Sequence, residues 1–173
     1  ALDTYLPGLV RLGYRVAICE QTEDPADAKK AGRKVVEREV TEITTPGVTL
    51  SENLLDHNRN NYLLSLSWSG SVVGVAFADI STGEFALCEM ADDELSAFAE
   101  GLSPAEILLG KREKERLPSE LHSRNLTFVD EWVYEEGYGY RELTGHFRTH
   151  SLKGFGVEEL RAAHPAAGAL LHY

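Results

Sequence analysis

The string whose residue types come nearest to chemistry is Asp79-Ile80-Ser81-Thr82-Gly83, an aspartate closing a β-rich run and followed by two hydroxyls and a glycine. An aspartate at the end of a central strand is how several α/β folds present a metal or phosphate site. Two-metal nuclease chemistry needs three or four carboxylates converging on one end of a sheet. The run Pro104 to Leu109 adds Glu106, and no third carboxylate offers itself. The plainer reading is adopted: Asp79, Ser81, Thr82 and Gly83 form a structural turn, with the side-chain oxygens bonding nearby backbone. Other chemistries find less. Gly137-x-Gly139 and Gly154-x-Gly156 lack the third glycine of a dinucleotide fingerprint, and Gly110-Lys111 lacks the upstream glycine and hydroxyl of a phosphate loop. Six histidines are scattered; His146 and His150 alone stand four apart, as a metal pair on a helix would, without a third ligand nearby. No serine sits in a nucleophile elbow, and neither Cys19 nor Cys88 has a histidine beside it.

Two surfaces could bind rather than react. Lys29, Lys30, Arg33, Lys34 and Arg38 form a basic cluster suited to a phosphate backbone, or simply a solvated turn. Trp132, Tyr134, Tyr138, Tyr140 and Arg141, beside the acidic stretch Asp130 to Glu136, suit a protein partner, or cover for a sheet edge.

The elements that must position these groups follow from periodicity. Leu2, Tyr5, Leu6, Leu9 and Val10 mark an amphipathic helix ending at Gly13. A strand over Tyr14 to Glu20 follows, then a short helix capped by Asp24 with Pro25 in its first turn, then a strand over Lys34 to Thr44 with no purely apolar face, suited to an edge or a bridging position. Thr45-Pro46-Gly47 breaks the pattern and is read as a domain boundary. Beyond it Asn61 to Trp68, Ser71 to Asp79 and Glu84 to Met90 read as an antiparallel meander, Asp92 to Gly101 as a helix, Pro104 to Leu109 as a strand, Arg112 to Leu121 as a weak helix and Leu126 to Val129 as a strand. The expected fold class is therefore α/β, a mixed sheet of order β-β-β-α-β-α-β preceded by a smaller α/β piece. Gly154-Phe155-Gly156 is a joint before Val157 to Leu160, and Pro165 opens a last helix over Ala166 to Tyr173.

Composition bounds the partners. With 17 Lys and Arg against 28 Asp and Glu, the 173 residues carry a formal charge of −11, so any nucleic-acid contact is local. Two cysteines exclude a disulfide scaffold and fit a reducing cytoplasm. No run is long and apolar enough for a bilayer, so no membrane partner is expected. The opening at Ala1, directly inside an amphipathic set, reads as a piece of something longer, whose first sheet would leave apolar surface open.

Several strings in collinear order resemble one family: Ala1 to Pro7, Gly13 to Gln21, Glu23 to Pro25, Arg38 to Thr41, Thr45 to Gly47, Asn61 to Leu63, Asp79 to Phe85, Pro104 to Glu106, and Ala166 to Leu171. Together they resemble the bacterial MutS family of DNA mismatch-recognition proteins. The resemblance implies the C-terminal part of the mismatch-binding domain over 1–45, a ribonuclease-H-like connector over 46–160 and the start of the helical lever domain over 161–173. It implies a non-enzymatic module that couples the mismatch domain to an ATPase and docks MutL. ATP and magnesium, mismatched double-stranded DNA and a homodimer then belong to the full-length protein, with no cofactor in this piece and a cytoplasmic, nucleoid-associated location. The family's Phe-x-Glu mismatch wedge is not among these residues; Phe98-Ala99-Glu100 falls in an acidic helix, where insertion into a base step is electrostatically disfavoured. Two other readings compete: a metal-dependent nuclease using Asp79 and Glu106, and a weak non-specific DNA binder acting through Lys29 to Arg38.

Overall fold

A computed structural model describes residues 2–49, 60–135 and 137–173; Ala1 and Glu136 of the expectations above lie outside the described residues. The first unit is built from α1 (Leu2–Arg11), β1 (Val16–Gln21), α2 (Pro25–Lys30) and β2 (Arg38–Thr44). Gly13 takes a left-handed φ of 86° just past α1, a turn open to glycine at no steric cost. Asp24 caps α2 by accepting from the Ala26 N–H at 2.7 Å. β1 and β2 pair antiparallel, with an irregularity between Ile18 and Cys19. β2 begins four residues later than its alternation predicts, and every residue in it except Thr44 is exposed, including Val40 and Ile43.

The second unit is a five-stranded sheet flanked by helices. β3 (Leu63–Ser69), β4 (Val72–Asp79) and β5 (Glu84–Ala91) run antiparallel, and after α3 (Leu95–Leu102) the strands β6 (Glu106–Gly110) and β7 (Leu126–Val129) join parallel to β3 and to each other. The spatial order is β5-β4-β3-β6-β7, with β5 and β7 at the edges. A helical crossover returns the chain in the same direction, which is why the sheet is antiparallel first and parallel later. All five residues of β6 are buried, as a parallel strand covered on both faces requires.

Each face has its own core. Leu64, Leu66, Val73, Val75, Ile107 and Leu109 pack under α3 and the Leu117 to Leu121 turn. Leu63, Ala76, Leu108 and Val129 pack under α4 (Tyr138–His146) and α5 (Ala163–His172). α5 is seated by Ser67, which donates to the Ala162 carbonyl at 2.6 Å, and by Glu89, whose carboxylate accepts from the Ala162 N–H at 2.6 Å at the positive end of the helix.

One expectation is corrected, and one helix is added. Residues Arg112 to Leu121 form two 3-10 turns, Lys111–Arg116 and Ser119–Leu121, because Pro118 interrupts the stretch and only Leu117 and Leu121 are buried. α4 occupies a stretch whose periodicity offered no helix, since Leu143 and Gly139 are the buried positions of α4. Val157 to Leu160 lie in turns between the 3-10 turn Lys153–Phe155 and α5.

Candidate functional site at the joint between the units

The two carboxylates that sequence reasoning weighed as a nuclease pair are both consumed in holding the chain together. Asp79 is fully buried; its Oδ1 accepts from the Ser81 N–H at 2.9 Å and the Ser81 hydroxyl at 2.6 Å, and its Oδ2 from the Asn61 N–H at 3.0 Å. Thr82 donates to the Asp79 carbonyl at 3.4 Å, and Gly83 completes the turn with a φ of 75°. Burial pushes the Asp79 carboxyl up, but the bonds from Ser81, Asn61 and Thr82 outweigh it and hold the group below the ordinary carboxylate range.

Glu106, 1% exposed, opens β6. Its Oε2 accepts from the Gly47 N–H at 2.9 Å; its Oε1 accepts from the Thr127 hydroxyl at 2.6 Å and the Tyr173 hydroxyl at 2.7 Å. Burial, and then the Glu106 charge, push the Tyr173 phenol up, so it stays a donor. The two anchors share one segment: Asn61, fixed by Asp79, donates through its side-chain amide to the Pro46 carbonyl at 2.9 Å. Pro46 and Gly47 are thus gripped from both sides, by Asn61 from the start of the sheet unit and by Glu106 from its centre. The Arg15 guanidinium stands 5.4 Å from the centre of the Tyr173 ring, so the strand entry of the first unit touches the same knot.

Each of the four carboxylate oxygens of the pair accepts at least one hydrogen bond from the fold. Among the described residues no group of three or more His, Cys, Asp or Glu side chains could hold a metal ion. His146 is the last residue of α4, and Arg148 turns the chain with a φ of 51°, so His150 does not share its helix face. Gly110 does not fit a phosphate: a Cβ built there would lie 3.0 Å from the Glu131 carboxylate. That carboxylate lines a cleft of about 660 Å³ past the carboxyl ends of β3, β6 and β7, with Glu113, Glu158 and Glu159. There burial and the like charges of Glu131 and Asp92 push the Glu113 carboxyl up, against the opposing pull of Arg116.

The basic cluster is partly neutralised by acids that adjacency left out of it. Lys30 pairs with Asp27 at 3.0 Å, and Arg33 pairs with Glu23 and, at 3.8 Å, with Glu37. Lys29 and Lys34 carry no ion pair among the described residues. The aromatic group divides. Trp132, 46% exposed, packs edge-on against Tyr138 at 5.1 Å and His172 at 5.0 Å, joining the N-terminus of α4 to the end of α5. Arg141 is exposed on the next turn of α4, whereas Tyr134 is packed into the core with its hydroxyl 3.3 Å from Ser65. Sequence reasoning missed the Gly47, Thr127 and Tyr173 partners of Glu106; Thr45-Pro46-Gly47 was read as a boundary, and nothing local to it names the glutamate that binds it.

Comparison with known proteins agrees with this two-unit organisation. Residues 1–53 match the family model MutS domain I, and residues 61–173 match MutS domain II. The whole chain aligns with curated proteins named DNA mismatch repair protein MutS: 42% identical over 177 residues to that of Flavobacterium psychrophilum, 43% over 174 to that of Bacteroides fragilis and 44% over 184 to that of Chlorobium chlorochromatii. It covers 20%, 20% and 21% of those relatives respectively, about a fifth of their length. With MutS domain I matched over residues 1–53 and MutS domain II over 61–173, in that order, the chain belongs to the MutS family of DNA mismatch repair proteins.

Proposed function

We propose that this chain is the end of the mismatch-binding domain followed by the connector of a MutS mismatch-repair protein, and that its work is mechanical: it passes strain between DNA-binding and ATP-hydrolysing parts and docks MutL. Residues 1–45 are the mismatch-domain part, 46–160 the connector and 161–173 the entry to the lever. The observation that carries this reading is the Glu106 knot, in which one buried carboxylate ties Gly47 of the joint to β7 and to Tyr173 beyond α5. A joint bonded on both sides moves with the units it connects. The strand order β5-β4-β3-β6-β7, three antiparallel and then two parallel, supports a ribonuclease-H-like connector. The engagement of Asp79 and Glu106 by the fold argues against a nuclease of that architecture. ATP and magnesium, mismatched duplex and homodimerisation belong, on this reading, to the longer cytoplasmic protein.

MutL docking is assigned to the corner of exposed Trp132 and Arg141 and half-buried Tyr138. The test is titration of this chain with MutL from the same organism, beside labelled heteroduplex DNA at two salt concentrations. Saturable MutL binding that falls at least tenfold in Trp132→Glu and Arg141→Glu is expected; no MutL binding, or binding unchanged in both variants, overturns the docking assignment.

A further inference from the structure

A second surface lies at the opposite end of α4, where the helix gives way to residues 146–155. Phe147, 39% exposed, stacks at a tilt on Phe155, 54% exposed, with ring centres 5.2 Å apart, and on Phe85 of β5 at 6.0 Å. Two exposed rings, backed by half-buried Phe85, form an apolar patch of the kind that marks an interaction site. Its charge is opposite to that of the molecule: residues 146–155 hold His146, Arg148, His150 and Lys153, all exposed, and no Asp or Glu, in a chain of formal charge −11.

The patch is continuous with an unguarded sheet edge. β5 is eight residues long, pairs on one side with β4 in unbroken register, and has no second strand neighbour among the described residues. Natural edge strands are blunted by lysine, proline, a bulge or free charge. β5 has no lysine, proline or bulge. Both of its glutamates are committed to the fold itself: Glu84 accepts from the Tyr62 hydroxyl at 2.8 Å, and Glu89 accepts from the Ala162 N–H. Half-buried Leu87, Cys88 and Met90 line the rest of the strand.

We propose that the aromatic and basic corner of Phe85, Phe147, Phe155, Arg148 and Lys153 is, together with the open edge of β5, a docking surface for an extended acidic segment of a partner protein. The segment adds a strand to β5 through main-chain hydrogen bonds, sets an apolar side chain on the phenylalanines and places carboxylates beside Arg148 and Lys153. Nucleic acid is the poorer fit. Two permanent cations neutralise too few phosphates to hold a polyanion against the net charge of the chain, and an open strand edge has no use for a phosphate backbone. This surface lies about 13 Å along α4 from the Trp132 corner and is independent of the MutL assignment.

The experiment uses this chain, a labelled pool of eight-residue peptides alternating Glu with Val or Phe, a matched pool with Lys in place of Glu, and a 16-base-pair duplex. Saturable binding of the acidic pool is expected, with slowed amide exchange over Glu84–Ala91. Binding should fall at least tenfold in Phe155→Ser and in Arg148→Glu/Lys153→Glu, and stay unchanged in Trp132→Ala. Both altered sets are exposed, so circular dichroism should match the parent chain. No binding of the acidic pool, equal binding of both pools, amide protection elsewhere, or binding of the duplex in its place overturns the proposal. So does peptide-independent self-association through β5.

Discussion

Asp79 is held by donors on both oxygens, and its carboxyl lies below its ordinary range because those donors outweigh burial. A group whose folded pKa lies below its unfolded value of about 4 contributes stability above that pH, and the contribution is lost as pH falls through the folded value. Asp79→Asn is therefore expected to cost about 1–3 kcal/mol at pH 7 and clearly less at pH 3, measured by urea denaturation at both; an equal loss at both would show that the charge is not what the donors require. Glu113 has the opposite sign. Its folded pKa is raised, so its ionisation costs stability above about pH 4. Glu113→Gln should raise the urea midpoint at pH 7 and leave it unchanged at pH 3. The Asp79 turn was legible because its partners Ser81 and Thr82 stand two and three residues away, within reach of local turn chemistry. Glu106 was not: its partners are Gly47, Thr127 and Tyr173, brought to it by three different elements.

Elements separate in the same way. α2 and the turn after α1 carry their own signals, Asp24-Pro25 and Gly13, and form where those signals stand. α4 has no such signal, because it is held by a close crossing with α5. A Cβ on Gly168 would lie 2.4 Å from the Gly139 Cα, and a Cβ on Gly139 would lie 1.9 Å from the His164 carbonyl oxygen. Gly139, weighed in the sequence as part of a nucleotide fingerprint, is there to let two helices touch. Gly168→Ala is expected to cost about 1–3 kcal/mol or more by overpacking, lowering the thermal midpoint by about 2–12 °C. Gly145→Ala, in the same helix with nothing within 4 Å of the added methyl, should be neutral or stabilising by about 0.5–1 kcal/mol. A loss at Gly145 as large as that at Gly168 would sink the helix-crossing account.

At the scale of the whole molecule, charge and the joint govern behaviour. With Lys30 and Arg33 paired, Lys29, Lys34 and Arg38 are what the basic cluster has to offer a phosphate backbone. Any residual binding to duplex should show a log–log salt slope no steeper than about −3, at about −0.9 per phosphate neutralised. A slope of −5 would restore the DNA-binding reading. Rupture of the Glu106 knot by Glu106→Ala should speed amide exchange at residues 45–49 while the β3–β4 amides stay protected. What the sequence by itself determined is everything carried by near neighbours: the chain break at Thr45-Pro46-Gly47, the strand runs of the sheet, the Asp24 cap and the Asp79 turn, since spacing and residue type act over a few residues. Only the tertiary structure decided that Asp79 and Glu106 grip the joint, that α4 exists by its packing on α5, and that an aromatic, basic corner meets an open edge. Those features join residues tens of positions apart, and no local periodicity encodes them.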